Sequence, residues 1–286
     1  MIVDAHYHLE ERMETVDELL DQMEQHSIGR VALIATMVDP FHLEGVAAKA
    51  GAILPKALAG RWRGLGLPLY KSTVTADGKF SALGKTYPIY DVPDNKSVAR
   101  VMQAHPDKFY GWIFVNPSVA DPIAELEKWA GRPGWVGVKS HPFWHRYPVA
   151  LLDDVAACCA ERDWPLLMHL GGDRERGDYR YLPERHPTLK LVYAHAGVPF
   201  YQQVWEYVKS RDGLSVDLSN PTYVNGEIRL DAVKTLGAEK CLHGTDGPYS
   251  HAGQGRMAQA ILRLPLSDAE KERILGGNLI ELLGLA

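Results

Sequence analysis

Short, nearly continuous apolar runs alternate along the chain with longer stretches whose apolar residues recur at helical spacing. The short runs are Val3–His8, Arg30–Val38, Phe109–Val115, Trp135–Ser140, Pro165–Leu170, Leu189–Ala194, Leu214–Ser219 and Lys240–Gly244. They have strand length and are rich in Val, Ile and Leu, as expected of strands buried on both faces. A helix follows each of them, directly or after a loop. Thr15 and Glu18 form a capping box ahead of Val16, Leu19, Leu20 and Met23. Asp121-Pro122 opens a helix that Gly131 closes, and Ser267 with Glu270 opens another. Further helices are expected at Ser97–Ala104, Leu151–Glu161, Tyr181–Arg185, Tyr201–Ser210, Ile228–Leu236 and Met257–Leu264.

No strand pair is joined by a two-residue hairpin turn, so the alternation implies parallel strands with crossovers. Eight such units predict an α/β fold, the (β/α)8 TIM barrel, as a single domain over residues 1–286. A doubly wound open sheet is the alternative, but its usual Gly-rich turn after the first strand is replaced here by His-x-His and Leu-Glu-Glu. One stretch breaks the rhythm. Asp39 to Asp94 is studded with Gly and Pro and shows no clean period. It reads as a lid-like insertion after the second strand, partly helical near His42–Leu58.

Composition narrows the class. With 286 residues, 46% of them hydrophobic and 23% charged, the chain can bury a sizeable core. A net charge of −5 without a basic run argues against a nucleic-acid or membrane-surface partner. The three cysteines, Cys158, Cys159 and Cys241, include no Cys-x-x-Cys, which suits a reducing compartment. A core-type strand directly after Met1 is no signal peptide, and no apolar run reaches bilayer length; the expected location is cytoplasmic.

Histidine is the unusual residue, twelve in all, and its positions carry the chemistry. In a barrel the C-terminal strand ends converge on one mouth. Those ends carry His6 and His8 on the first strand, and Lys139 with His141 on the fourth. They carry His169 on the fifth, His195 on the sixth and Thr245-Asp246 on the eighth. Side chains alternate along a strand, so Asp4, His6 and His8 share a face. Paired imidazoles there suit a divalent metal. His26, His105 and His186 lie at the opposite end and His243 has the wrong parity; these four are expected to be structural.

Taken in order, Val3–His8, Gly137–Pro142, Leu167–Gly171, Tyr193–Gly197, His243–Pro248 and the tail Ile274–Leu285 resemble the metal-dependent amidohydrolase superfamily. The closer likeness is to the amidohydrolase-related branch, which includes aminocarboxymuconate semialdehyde decarboxylase and related hydrolases. The resemblance implies that His6, His8, His169 and Asp246 ligate one divalent ion. Zinc is the first expectation, with Mn2+, Fe2+ or Co2+ as alternatives. It implies that His195 and Asp246 are catalytic, His195 as acid/base beside an activated water and Asp246 as ligand and water-orienting carboxylate. Asp4 is a candidate to hold an imidazole's other nitrogen. Lys139 is expected as an ammonium near the substrate; a binuclear site with carbamylated Lys139 is the alternative. His141, Arg61 and Trp144 join Lys139 as candidate substrate contacts. Lys56, Trp62, Arg63 and Lys71 on the insertion, and Arg174 and Arg176 after the fifth strand, are further candidates for an anionic, ring-bearing substrate.

Three functions compete. The first is hydrolysis of an amide, ester or lactone of a small carboxylate-bearing molecule by metal-activated water. The second is metal-dependent, non-oxidative decarboxylation of a small aromatic or dienyl acid. The third, a ligand-binding barrel without chemistry, is disfavoured by the intact candidate ligand set. The branch also implies a homodimer, by analogy alone.

Overall fold

Each apolar run becomes a strand of one sheet in the computed structural model, which describes residues 1–41, 53–60, 62–82 and 84–285. The strands are β1 (Ile2–Leu9), β2 (Ile28–Ala35), β3 (Lys79–Ala82), β4 (Lys85–Pro88), β5 (Phe109–Val115), β6 (Trp135–Ser140), β7 (Pro165–Met168), β8 (Lys190–Tyr193), β9 (Leu214–Asp217) and β10 (Cys241–Leu242). Eight of them form a parallel sheet in the order β1-β2-β5-β6-β7-β8-β9-β10, and β3 and β4 form a separate antiparallel hairpin. The expected (β/α)8 barrel is what the chain forms.

The barrel closes just beyond β10. Ala5 N donates to His243 O at 2.9 Å, Asp246 N to His6 O at 2.7 Å and His8 N to Gly247 O at 2.7 Å. This seam satisfies backbone groups that an open edge would expose, and it lays Asp246 alongside His6 and His8. Elsewhere the strands approach closely where the sequence permits. A Cβ on Gly137 would stand 2.4 Å from Pro165 O and 2.6 Å from Trp112 Cζ3, so only glycine lets β6 pack at this distance.

The helical layer follows the capping chemistry. Thr15 accepts from Glu18 N while the Glu18 carboxylate accepts from Thr15 N, starting the helix Val16–Gln25. Ser267 and Glu270 repeat the device, and Asp121 caps the helix Pro122–Ala130 by accepting from Ile123 N and Ala124 N. His26, His105 and His186 each cap the C-terminus of a helix, away from the strand ends that carry the other histidines. Among the described residues, no helix is long and apolar enough to cross a membrane.

The insertion after β2 is closed at its base. Val38 and Ile89 form an antiparallel bridge, and Tyr90 N donates to Met37 O at 2.8 Å. Arg12 from the loop after β1 donates to both ends, to Asp39 Oδ1 at 3.1 Å and to the Tyr90 hydroxyl at 2.8 Å. Within lie a helical stretch over 53–59, the helix Arg63–Ser72 and the β3–β4 hairpin. The first part of the helix expected near His42–Leu58, residues 42–52, lies outside the described residues.

Candidate functional site

Alternation along β1 puts Asp4, His6 and His8 on the inner face, all nearly or fully buried. Asp246 arrives across the seam in the left-handed region, with φ 57°, a conformation aspartate tolerates better than most residues. Its Oδ1 stands 3.1 Å from His6 Nε2 and 3.4 Å from His8 Nε2, and its Oδ2 lies 3.9 Å from His195 Nε2. His195 also adopts a left-handed backbone, with φ 52°. Asn220, with φ 58°, donates from Nδ2 to Asp246 Oδ2 at 2.7 Å and fixes the carboxylate. Strained backbone at three residues of one cluster is typical of a functional site.

The hydrogen bonds assign each imidazole a tautomer. His6 Nδ1–H donates to Asp217 Oδ2 at 2.9 Å and His8 Nδ1–H to Ala35 O at 3.2 Å, so both keep Nε2 for another partner. The Ser219 hydroxyl donates to Asp217, so it accepts from His195 Nδ1–H at 2.8 Å and leaves His195 Nε2 bare. The Tyr70 hydroxyl donates to Leu170 O at 2.8 Å and therefore accepts from His169 Nε2–H at 2.8 Å, leaving His169 its Nδ1. His141 is the exception. Its Nδ1 accepts from Trp144 N at 3.0 Å, so its Nε2 carries the proton and offers a donor rather than a lone pair. Anchored imidazoles beside a carboxylate are side chains that could hold a divalent transition metal. One atom each from His6, His8 and Asp246 lies within 4.8 Å of the others, a separation one ion can bridge.

The electrostatics agree. Burial pushes His195 down to about 4, against the pull of Asp246 and Asp217. Burial, with His195 and Lys139 nearby, takes His169 well below the ordinary range, and burial lowers His8 despite its bond to Asp246. These rings are neutral, as ligation requires. At His6, burial and Lys139 act downward, but Asp217 and Asp246 together raise it. The same two carboxylates that favour a positive charge on the His6 ring would favour a cation at its Nε2. Burial would raise Asp246, yet His195, His6 and the hydrogen bonds of His6 and His8 hold it well below the usual carboxylate range.

Lys139 is fully buried, its Nζ 3.4 Å from His6 Nε2, and burial pushes it down to about 8 against the attraction of Asp217 and Asp246. His141 stacks on His169 with ring centroids 4.1 Å apart, and His169 meets His195 at 4.8 Å. Above this floor lies a cavity of about 60 Å³, lined by Lys139, His141, Trp144 and the aromatic rings of Phe41, Phe80 and Tyr249, among others. Phe41 faces Tyr249 at 5.4 Å and Phe80 faces Trp144 at 5.0 Å; the buried Trp144 indole N–H has no partner among the described residues.

Several expectations are redirected. Asp4 anchors no imidazole. It accepts from His6 N, Thr245 N, the Thr245 hydroxyl and Gln254 Nε2, which ties the barrel seam. The imidazole anchor is Asp217 on β9, and Tyr70, Ser219 and Asn220 also went unpredicted. Among the described residues, the insertion's cations do not line the cavity: Lys56 pairs with Glu227, Arg63 lies over Phe200, and Lys71 is exposed. Arg174 is exposed and Arg176 pairs with Asp173. Arg61 lies outside the described residues.

The family model for amidohydrolases matches residues 76–285. The chain belongs to the amidohydrolase family. A comparison with curated proteins finds no match in sequence. Among solved structures, this amidohydrolase is similar to an uncharacterized TIM-barrel protein from Bordetella bronchiseptica, with TM-score 0.67, 16% identity and 99% and 98% of the two chains covered. It is similar to a dihydroxybenzoic acid decarboxylase from Polaromonas sp. JS666 with bound manganese and 2-nitroresorcinol, with TM-score 0.63, 16% identity and 99% and 97% covered. It is also similar to 4-oxalomesaconate hydratase from Rhodopseudomonas palustris, with TM-score 0.60, 16% identity and 100% and 96% covered. At these identities the likeness is one of fold.

Proposed function

We propose that this amidohydrolase is a metal-dependent hydrolase that cleaves an amide, ester or lactone of a small planar molecule. His6 Nε2, His8 Nε2, His169 Nδ1 and Asp246 Oδ1 are the atoms that would hold one divalent ion, zinc being our first choice. When bound, the ion supplies Lewis acidity toward a substrate oxygen.

The remaining work falls to the chain's own groups. Asp246 Oδ2 and His195 Nε2, 3.9 Å apart, form a pair of proton acceptors above the cluster. Water adds its oxygen to the carbonyl carbon and yields its proton to His195. The C–N or C–O bond then breaks and His195 returns that proton to the leaving atom. Asp217, through Ser219, steadies the transient imidazolium. Lys139, His141 and Trp144 line the cavity with donors for substrate oxygens. The observation that carries this reading is Asp246, with one oxygen toward His6 and His8 and the other toward His195. A single protonation of carbon, as in decarboxylation, has less need of such a proton-transfer pair.

The aromatic walls favour a second reading, loss of carbon dioxide from a ring-bearing acid. Turnover in H2(18O) separates the two. Metal-loaded protein supplied with dihydrocoumarin is expected to place one 18O in the product carboxylate, and hydroxybenzoates are expected to stay intact. Release of carbon dioxide from a hydroxybenzoate, with dihydrocoumarin untouched, would overturn the hydrolase reading. Elemental analysis of the purified protein is expected to find one equivalent of a divalent metal. Two equivalents would mean a binuclear site bridged by carbamylated Lys139.

A further inference from the structure

Tyr70 does not belong to the barrel. It lies on the helix Arg63–Ser72 of the insertion, yet it is fully buried against the floor of the mouth. Its ring stacks on Phe143 with centroids 4.3 Å apart and meets Tyr223 edge-on at 6.0 Å. A tyrosine has one hydroxyl proton, and here it goes to Leu170 O. The oxygen can then only accept at His169 Nε2, which fixes the proton on that nitrogen. Without this acceptor the two tautomers of a neutral imidazole compete, and one of them carries a proton on Nδ1.

We infer that Tyr70 is a positioning residue that makes the insertion part of the metal site: its hydroxyl holds His169 as the Nε2–H tautomer and so frees Nδ1 for the ion. The inference rests on the metal-site reading above. It links two events that sequence separates. Seating of the helix Arg63–Ser72 favours ligation by His169, and ligation by His169 favours seating of that helix, by the reciprocity of coupled equilibria. The ends of β2 and β9 and the segment just after β9 supply the other anchors of the cluster, Ala35, Asp217 and Ser219. His169 alone takes its anchor from outside the barrel.

Tyr70→Phe removes the hydroxyl and keeps the ring that packs on Phe143. Two measurements apply. The first is 15N NMR of the histidine side chains in metal-free protein, with His169 assigned by its loss in His169→Ala. Wild type is expected to show His169 protonated at Nε2, and Tyr70→Phe to show a mixture of tautomers. The second is Zn2+ affinity by chelator competition for wild type, Tyr70→Phe and His169→Ala. Tyr70→Phe is expected to bind about 10- to 100-fold more weakly, and His169→Ala more weakly still.

Wild-type His169 protonated at Nδ1 would overturn the inference before any variant is made. So would Tyr70→Phe with wild-type affinity while His169→Ala falls. Unchanged affinity in both variants would remove His169 from the ligand set and end the coupling with it. That outcome leaves the reading of His6, His8 and Asp246 standing, so the two failures are distinguishable.

Discussion

Asp246→Asn is expected to leave a folded barrel that neither holds metal nor turns over. The backbone bond from Asp246 N to His6 O, which closes the seam, survives any side-chain change. Asparagine also tolerates the left-handed backbone at this position. The amide can still satisfy its neighbours. Its oxygen accepts from Asn220 Nδ2, and its NH2 group turns toward the Nε2 atoms of His6 and His8. Those lone pairs are then spent on an amide proton, and the negative charge that draws a cation is gone. Thermal unfolding should stay near wild type, while kcat/KM falls by about 10³-fold or more, the range for removing a group that moves protons in the transition state. Bound metal measured after dialysis should drop to a trace. Full metal occupancy with turnover within tenfold of wild type would take Asp246 out of both roles.

The fold was legible because the barrel's strands are buried on both faces and write their positions as apolar runs. The mouth was legible in part for the same reason: His6, His8, His169 and His195 interrupt those runs at their C-terminal ends, where a polar residue has no packing role. Asp217 obeys the same rule at the end of β9, followed by Ser219, and a reading that weighed carboxylates as heavily as imidazoles would have found it. The two acids on inward faces exchange roles for a geometric reason. Asp4 lies two residues below His6, where the neighbouring groups are the Thr245 backbone and the Gln254 amide. Asp217, one strand over from the seam, stands level with the His6 ring. Tyr70 left no such trace. Its helix carries Pro68 and turns Leu65 and Leu69 to solvent, so only tertiary contact reveals that Tyr70 reaches the barrel floor. The charges of the insertion misled for the opposite reason: a cation is conspicuous in sequence, yet the rings of Phe41 and Phe80 form the wall.

The second large effect is expected at Asp217, where two substitutions should part company. The carboxylate is fully buried and accepts from His195 N at 3.1 Å, Ser219 N at 2.9 Å, the Ser219 hydroxyl and His6 Nδ1–H at 2.9 Å. Burial would raise its pKa, but the charge and hydrogen bond of His6, with His195 and Ser219, hold it well below the ordinary carboxylate range. Asp217→Ala strands all of those donors in a dry interior, at roughly 1–3 kcal/mol apiece. The sum rivals the whole stability of a domain, about 5–15 kcal/mol, so this variant is expected not to accumulate as folded protein. Asp217→Asn is different. Its amide oxygen must stay with the three donors from His195 and Ser219, which leaves the NH2 group facing His6 Nδ1. Two donors cannot share that contact, so His6 shifts its proton to Nε2, where Asp246 Oδ1 accepts it at 3.1 Å. The barrel stays folded, and His6 no longer offers a lone pair to the ion. Near-UV circular dichroism should match wild type while Zn2+ affinity, by chelator competition, weakens by about 10- to 100-fold or more. Wild-type affinity in Asp217→Asn would mean that the tautomer of His6 is set elsewhere, and that the carboxylate on β9 serves packing alone.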